Sequence, residues 1–569
     1  MKNNNKNERD RKNNLFIQAM SITGRYIKNH YKYLILLFAG YAALSGLNFV
    51  KVSTTDSVAG YSIKNYEIGQ ISDKTIIADR SLPPDEVYAT SITEGDIIVK
   101  KGFPITEQAY EQLQKMSESP VYLDYSAFAH NEIYLLVISI LWYMLFAFMS
   151  KGRKLSILEP ILEVVFVILV YGVVAFGQKV AILSSPYAIC MVLPCVLFTM
   201  LATILYGQSS AVILSFITAL YVLGASSWEV IPFIYTLITC FVSSVFVAKI
   251  ERRLDLMSAA LVLAIFNMVF MLLLAIVFNQ NLRELGTVFI GIAANGFLSG
   301  ILCLGLLTPL EFMLNTASVF RLMDLSDLNN PLMRRMLVDA SGTYQHSMMV
   351  AQLAENACRE IGANALVARV GAYYHDIGKM DQSEYFVENQ QGENKHDDIN
   401  PTLSFTVIKS HVKKGVEKAH QLHLPNVVVD IIAEHHGNSV VAFFYNKAKE
   451  KDPSLSPEDF SYPGNPPSTR ESAVVMLADT VEAACKTLKS PSVSSLEKFV
   501  NQLVNDKVEH GQMDNCDLTF RDISKIKEAF VQILAGYYHS RIKYPDQKDP
   551  ETEEKTTAPA EEKKEIKKE

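Results

Sequence analysis

Ala259-Ala-Leu-Val-Leu-Ala-Ile-Phe-Asn-Met-Val-Phe-Met-Leu-Leu-Leu-Ala-Ile-Val-Phe278 runs for 20 residues without a charged side chain. A helix rises about 1.5 Å per residue, so such a run crosses a hydrocarbon core of roughly 30 Å. Seven further segments have the same character: Tyr33 to Val50, Ile133 to Met149, Ile157 to Gly177, Tyr187 to Gly207, Ser209 to Ser227, Ile231 to Val247 and Thr287 to Leu310. Eight spanning helices are therefore expected. All lie before residue 311, whereas residues 320 to 545 mix polar and apolar types as a water-soluble domain does. The chain of 569 residues thus divides into a membrane part and a soluble part, which the overall 49% apolar and 20% charged composition would hide.

Lys and Arg orient the spans, because they stay preferentially on the cytoplasmic side. Arg9, Arg11, Lys12, Arg25, Lys28 and Lys32, the loop Lys151-Gly-Arg153-Lys154, and the loop Lys249 to Arg253 all fall on that side when the N-terminus is inside. The same parity puts everything after Leu310 in the cytoplasm. The first segment reads as a retained anchor: its leading stretch is longer than a signal peptide's and no clean A-x-A site follows. Residues 51 to 131 then form an extracytoplasmic insert, with short strands at Thr75-Ile-Ile-Ala78 and Asp96-Ile-Ile-Val99 and a helix over Ile105 to Met116. None of the seven cysteines falls in it, so no disulfide framework is implied, and no CxxC pair suggests a structural zinc site. The net charge of -7 comes with no block basic enough for a nucleic-acid polymer. Glu159 and Glu163 sit one turn apart near the cytoplasmic end of the third span, where snorkelling toward Lys154 is the simpler expectation than a buried functional pair.

The soluble half reads as consecutive helices, with apolar residues at helical spacing in Tyr344 to Ile361, Asn364 to Tyr374, Asn426 to His436 and Ser472 to Leu488. In the last of these, Val474, Leu477, Val481, Ala484 and Leu488 make one stripe. Set among such helices are His346, the pair His375-Asp376, His411, the pair His435-His436, and Asp479. Taken singly, each is as easily a hydrogen-bonded core residue. Buried together, they would be costly without compensation, and a dinuclear metal centre compensates all of them at once. Imidazole and carboxylate without thiolate suit iron, manganese or zinc. An aspartate beside a histidine can bridge two ions, and two cations can polarise a shared water for in-line displacement at phosphorus. The expected chemistry is hydrolysis of a phosphate ester.

His346, His375-Asp376-Ile-Gly-Lys379, His411, His435-His436-Gly437 and Asp479 resemble, in order, the signature of the HD-domain phosphohydrolases. Arg369-Val-Gly-Ala-Tyr-Tyr-His-Asp-Ile-Gly-Lys-Met380, Tyr385-Phe-Val-Glu-Asn-Gln390, Met476-Leu-Ala-Asp-Thr-Val-Glu-Ala-Ala484 and Tyr538-His-Ser-Arg-Ile-Lys-Tyr-Pro545 are similar to the seven-transmembrane HD family of the PgpH type, the membrane-bound cyclic di-AMP phosphodiesterases. The resemblance covers about residues 130 to 545. It implies a mostly α chain: a polytopic helical membrane domain followed by an all-α HD-domain bundle, with a small α/β extracytoplasmic insert. The expected order is a cytoplasmic segment 1–32, a first transmembrane helix 33–50, the insert 51–131, a seven-helix membrane domain 132–312, the HD domain 313–545 and a disordered tail 546–569.

The resemblance also implies roles. One ion would be held by His346, His375, Asp376 and Asp479, the other by Asp376, His411, His435 and His436, with iron or manganese as the two divalent metals. Asp376 and Lys379 would be catalytic, and Lys379 would also meet the substrate phosphate, unless it is only a lysine at a helix C-terminus. Lys395, His396, Lys409, Lys413 and Lys414 are further polar candidates, of which His396 is singled out for substrate. The implied reaction opens cyclic di-AMP to linear pApA at the cytoplasmic membrane of a bacterium. The implied partners are that cyclic dinucleotide, the lipid bilayer and an unknown extracytoplasmic ligand; a homodimer stays open. A receptor that binds nucleotide without turnover, and a hydrolase of cyclic di-GMP or a nucleoside polyphosphate, are the alternatives. The cyclic di-GMP branch carries Gly-Tyr-Pro soon after its histidine pair, where this chain has Gly437-Asn-Ser-Val-Val-Ala-Phe-Phe-Tyr445.

The chain departs from the family at several points. Tyr66 to Ala78 and Gly95 to Met116 resemble only the two ends of the family's external region, Asn438 replaces a common threonine, and Lys395 replaces a common proline. Residues 447 to 470 read as a surface loop in which Phe460-Ser-Tyr-Pro-Gly464 touches a base or anchors the loop.

Overall fold

The computed structural model describes residues 31–539, apart from 55–56, 59–60, 64–65, 79–80, 85–86, 89, 119–121, 124, 150–156, 179, 391, 393 and 489–490. The basic N-terminal segment, the loop 151–154, most of Tyr538 to Pro545 and the tail from Asp546 lie outside the described residues. The chain forms two compact units, Met1–Phe320 and Arg321–Glu569.

The first unit begins with α1 (Tyr31–Val52). Within the insert, β1 (Ser53–Thr54) pairs antiparallel with β6 (Tyr122–Leu123), and β2 (Ser57–Val58) with β3 (Tyr61–Ser62). The expected strands appear as the antiparallel pair β4 (Ile76–Ile77) and β5 (Ile97–Val99), and the expected helix is α2 (Glu107–Glu118). Ile76, Ala78, Val99, Ile105, Leu113 and Met116 form their shared core. Lys115 is buried there, its ammonium donating to the carbonyls of Pro83, Tyr88 and Thr90 at 2.6, 3.2 and 2.9 Å, which ties an irregular segment to α2.

The membrane helices follow as α3 (Tyr125–Met149), α4 (Leu158–Gly177), α5 (Cys195–Tyr206), α6 (Gln208–Ala225), α7 (Val230–Val247), α8 (Arg253–Val277) and α9 (Gly286–Leu314). Among the described residues, seven helices are long and apolar enough to cross a membrane: α1, α3, α4 and α6 to α9. The segment Tyr187 to Gly207 is the exception and corrects the expectation of eight full spans. Its first half is a 3-10 turn at Ala188–Met191, and only the 12 residues of α5 are helical. Pro186 and Pro194 explain this, because proline lacks the amide donor and disfavours helical conformation in the preceding residue.

Asn48 and Tyr41 of α1 both donate to the Glu132 carboxylate of α3 at 2.8 Å, so the first helix packs as a member of the unit. Glu159 and Glu163 are buried, and Glu163 accepts a hydrogen bond from the Trp142 indole at 3.0 Å. Lys154, the partner expected at the interface, lies outside the described residues.

After α10 (Val319–Leu325), the second unit comprises α11 (Pro331–Asp339), α12 (Ser341–Ile361), α13 (Ala365–Tyr374), α14 (Pro401–Gln421), α15 (Asn426–Glu434), α16 (Ala442–Lys449), α17 (Arg470–Cys485), α18 (Val493–Glu509) and α19 (Phe520–His539). α17 is its axis, packed by α12, α13, α15 and α18. Val474, Val475, Met476, Leu477 and Ala478 are all fully buried, so this helix is covered on every side rather than along the one stripe expected from periodicity. Beyond α16, residues 450 to 470 are mostly exposed, with Phe460 buried against Phe405 and Phe444 as an anchor.

Candidate active site

Each site residue is carried by a helix whose register is set by its apolar face. On α12 the buried positions Thr343, His346, Ser347, Val350 and Ala354 recur every three to four residues, so His346 points where the core points. α13 starts under an Asn364 cap and ends at Tyr374, and His375-Asp376 follow directly, leading into a 3-10 segment, Ile377–Tyr385. Gly378 in that segment is a steric requirement: a Cβ there would lie 1.9 Å from the His411 carbonyl oxygen. Its absence lets α14 press against the turn and brings His411 beside Asp376. His435-His436 end α15, and Asp479 projects from α17.

Three rings are fixed by their own helices. The Nδ1–H of His375 donates to the Ala372 carbonyl at 2.7 Å, that of His411 to Ile408 at 2.6 Å and that of His435 to Ile432 at 2.8 Å. A carbonyl can only accept, so Nδ1 carries a proton in all three and Nε2 is the nitrogen left to face inward. The three Nε2 atoms converge on Asp376. Its Oδ1 lies 3.4 Å from His411 Nε2 and 3.7 Å from His435 Nε2, while its Oδ2 lies 3.2 Å from His375 Nε2 and 3.6 Å from His346 Nε2. One carboxylate therefore faces two groups of imidazoles, one with each oxygen. Asp479 adds its Oδ1 at 3.0 Å from His346 Nε2 and its Oδ2 at 3.6 Å from His436 Nδ1. All seven side chains expected from the sequence are brought together.

The electrostatics call for positive charge. His411 Nε2 and His435 Nε2 stand 3.2 Å apart with both ring protons committed elsewhere. Burial lowers His411, and burial together with the charge on His375 pushes His435 down to about 3, so both rings are neutral and two lone pairs oppose each other. His375 Nε2 and Asp376 Oδ1 are buried without a hydrogen-bond partner. Burial disfavours a charged His375, but Asp376 and Asp479 outweigh it and hold the ring up at about 10. Burial would raise Asp376, yet His375 and Lys379 keep it well below the usual carboxylate range. Groups of three potential ligands lie close together at His411, His435 and His436, at His346, His375 and Asp479, and at His375, Asp376 and His435. The facing lone pairs of His411 and His435, an orphaned buried carboxylate oxygen and an all-nitrogen-and-oxygen donor set fit divalent metal binding.

Lys379 is not a lysine at a helix end. Its ammonium lies 2.7 Å from Asp376 Oδ2 and 2.9 Å from Glu388 Oε1, and those two anions raise its pKa against the effect of burial. Among the described contacts His396 makes no hydrogen bond or ion pair with the seven. Its Nε2 donates to the Tyr385 carbonyl at 2.7 Å and its ring packs against Tyr385 and Phe444, which makes it an anchor of that segment.

Several neighbours escaped the sequence reading. Glu482 Oε2 lies 2.5 Å from His346 Nδ1, orienting that ring from behind; a carboxylate one turn beyond Asp479 in an apolar helix was its signal. Glu388 accepts from Thr343 Oγ1 at 3.2 Å as well as from Lys379. Tyr462 stacks on His436 with ring centroids 4.3 Å apart, so Phe460 anchors this stretch while Tyr462 reaches the site.

Residues 343–484 match the HD domain, and residues 131–318 match the family described as "7TM receptor with intracellular HD hydrolase". The cyclic-di-AMP phosphodiesterase PgpH of Bacillus subtilis is 34% identical over 83% of this chain and 68% of its own length. The chain belongs to the PgpH family. The PgpH of Listeria monocytogenes is 31% identical over 89% of this chain and 71% of its own. The crystal structure of the L. monocytogenes PgpH HD domain with cyclic-di-AMP is 41% identical, spans 37% of this chain and 100% of its own, and superposes with a TM-score of 0.37. As a PgpH-family member with seven long apolar helices, the chain is a multi-pass membrane protein, and its HD unit is that of a hydrolase.

Proposed function

We propose that this protein hydrolyses cyclic di-AMP to linear pApA. The observation that carries the reading is Asp376, which presents one oxygen to His411 and His435 and the other to His375 and His346. In this reading His346, His375, Asp376 and Asp479 hold one divalent ion, and Asp376, His411, His435 and His436 hold the second. Iron or manganese is the expected metal, since a donor set of imidazoles and carboxylates without thiolate suits both. When bound, two such cations supply Lewis-acid polarisation of a phosphoryl oxygen and a nucleophile at neutral pH.

The chain's own residues supply position and charge. The Nδ1 bonds of His375, His411 and His435 aim three Nε2 atoms inward without further reorganisation. Lys379, held between Asp376 and Glu388, places a fixed positive charge beside the site, where it counters charge developing on phosphorus-bound oxygen. An oxygen from water joins phosphorus as the bond to one ribose 3′ oxygen breaks, and that oxygen takes up a proton as the 3′-hydroxyl. The 5′-phosphate stays on the opened dinucleotide. The soluble unit and both termini face the cytoplasm of a bacterial cell, the side that the basic loops favour, and residues 51–131 face outward to a ligand of unknown chemistry.

The test uses the full chain in detergent, loaded with manganese and given a panel of cyclic dinucleotides. The expected product is pApA from cyclic di-AMP, abolished by Asp376→Ala. Absence of any cleavage, with Asp376→Ala still binding cyclic di-AMP as well as the parent does, would instead establish a receptor.

A further inference from the structure

A cyclic dinucleotide carries two phosphodiesters on one ring, and only one can occupy the centre where hydrolysis takes place. The other negative charge needs a cation. The lysines singled out in the sequence are engaged elsewhere: Lys395 lies 3.2 Å from Glu384, Lys413 3.9 Å from Glu417, Lys414 bonds Gln382 at 2.6 Å, and Lys409 sits over the Phe405 ring. Lys379 is held by two carboxylates.

Lys507 differs from all of these. It stands in the last turn of α18, and its ammonium reaches back to the loop that follows the histidine pair, 2.8 Å from Ser439 Oγ. Among the described residues this hydroxyl is its one hydrogen-bond partner, and no carboxylate lies within ion-pair distance. Burial lowers its pKa, while Asp479 and Asp506 act in the other direction, which places Lys507 within the electrostatic reach of the metal-ligand cluster. An ammonium partly withdrawn from water and given only a hydroxyl is under-compensated.

The loop beneath it is built to hold still. The Ser439 amide donates to the His436 carbonyl at 3.1 Å, and the Ser439 carbonyl accepts from the Tyr462 amide at 3.0 Å. Gln512 donates to the Asn438 side chain at 2.6 Å and packs where a side chain on Gly437, at φ +54°, would otherwise lie. Lys507, Ser439 and the Tyr462 ring stacked on His436 thus line one side of the site with a cation, a hydroxyl and an aromatic face.

We infer that Lys507, with Ser439, binds the second phosphate of the cyclic dinucleotide, the one that is not cleaved. This rests on the cyclic di-AMP reading above. Lys507 is on this account a substrate-binding residue and takes no part in bond making.

The test compares Lys507→Met, Lys507→Arg and Ser439→Ala with the parent, all as full chains in detergent with manganese bound. The readouts are metal content, kcat and KM on cyclic di-AMP, and kcat/KM on bis(p-nitrophenyl) phosphate, which has a single phosphate. For Lys507→Met the KM on cyclic di-AMP rises between about 10- and 100-fold, the range of a lost hydrogen bond to a charged group. Metal content holds, Lys507→Arg recovers most of the loss, and the loss on bis(p-nitrophenyl) phosphate is at least about tenfold smaller. Equal losses on both substrates, or a drop in bound manganese, would mean that Lys507 only braces the loop after His436 and would overturn the inference, as would an unchanged KM. Should Lys507→Met not fold, Lys507→Gln, which keeps a bond to Ser439 without the charge, gives the same comparison. A parent that cleaves bis(p-nitrophenyl) phosphate but not cyclic di-AMP would refute the substrate reading itself.

Discussion

Glu482 offers the sharpest test of how the two groups of ligands are separated. Its Oε2 is 2.5 Å from His346 Nδ1, its Oε1 is 2.8 Å from the half-exposed Lys486, and it touches none of the other six ligands through the described contacts. Glu482→Ala leaves a buried ring N–H without an acceptor, at a cost of about 1–3 kcal/mol, or roughly 5- to 150-fold in affinity for the cation on the His346 side. Loss of such an outer partner of a metal-binding histidine commonly weakens affinity by about 10- to 100-fold, inside that range. Glu482→Gln keeps an acceptor but not the charge. Because a charge-assisted bond is about twice as strong as a neutral one, the loss is then about 1 kcal/mol, close to fivefold. The assay is equilibrium dialysis of metal-stripped full chain against manganese, with bound metal counted by mass spectrometry. Alanine should split the binding curve into one unshifted and one weakened step, with glutamine in between. A curve in which both steps shift together, or in which neither shifts, would refute the assignment of His346 and Glu482 to one ion alone.

Four further outcomes follow from the geometry. His375 is held at about 10 by its carboxylate neighbours in the metal-free protein, so loading metal at pH 7.5 should release at least one proton, seen as a buffer-dependent heat in titration calorimetry. Because that pKa lies above the unfolded value, the metal-free protein should hold the ring's contribution to stability in full below about pH 6.5 and lose it as the pH rises toward about 10, so its melting temperature should fall across that window. Lys379→Met removes the cation between Asp376 and Glu388 and should lower kcat by roughly 100-fold or more, checked by steady-state turnover of cyclic di-AMP; a change confined to KM would speak against its charge-stabilising role. Gly378→Ala sets a Cβ 1.9 Å from a backbone oxygen that cannot yield, so about 3 kcal/mol of stability and much of the metal on the His411 side should be lost, as read by thermal melting and metal analysis.

Long apolar runs announce themselves, because crossing a membrane is a one-dimensional requirement on length and composition, and seven of the eight expected spans are long apolar helices. Tyr187 to Gly207 failed because hydropathy is blind to Pro186 and Pro194. His396 stands near the motif in sequence, and only the structure shows that Tyr385 and Phe444 pack on its ring. α17 was read as one stripe because periodicity reports a single partner surface, whereas four helices pack around it.

What the sequence determined by itself was therefore the inventory: a membrane part, a helical soluble part, and seven metal-competent side chains whose types and order resemble one family. Which oxygen of Asp376 faces which ring, that Glu482 stands behind His346, that Lys379 is clasped by Glu388, and that Lys507 reaches the loop after His436 were decided only in three dimensions. The reason is physical. Residue type sets what a group can donate or accept, but distances among residues more than 100 positions apart are set by how closely helices approach, and here that approach depends on details as small as the missing Cβ of Gly378.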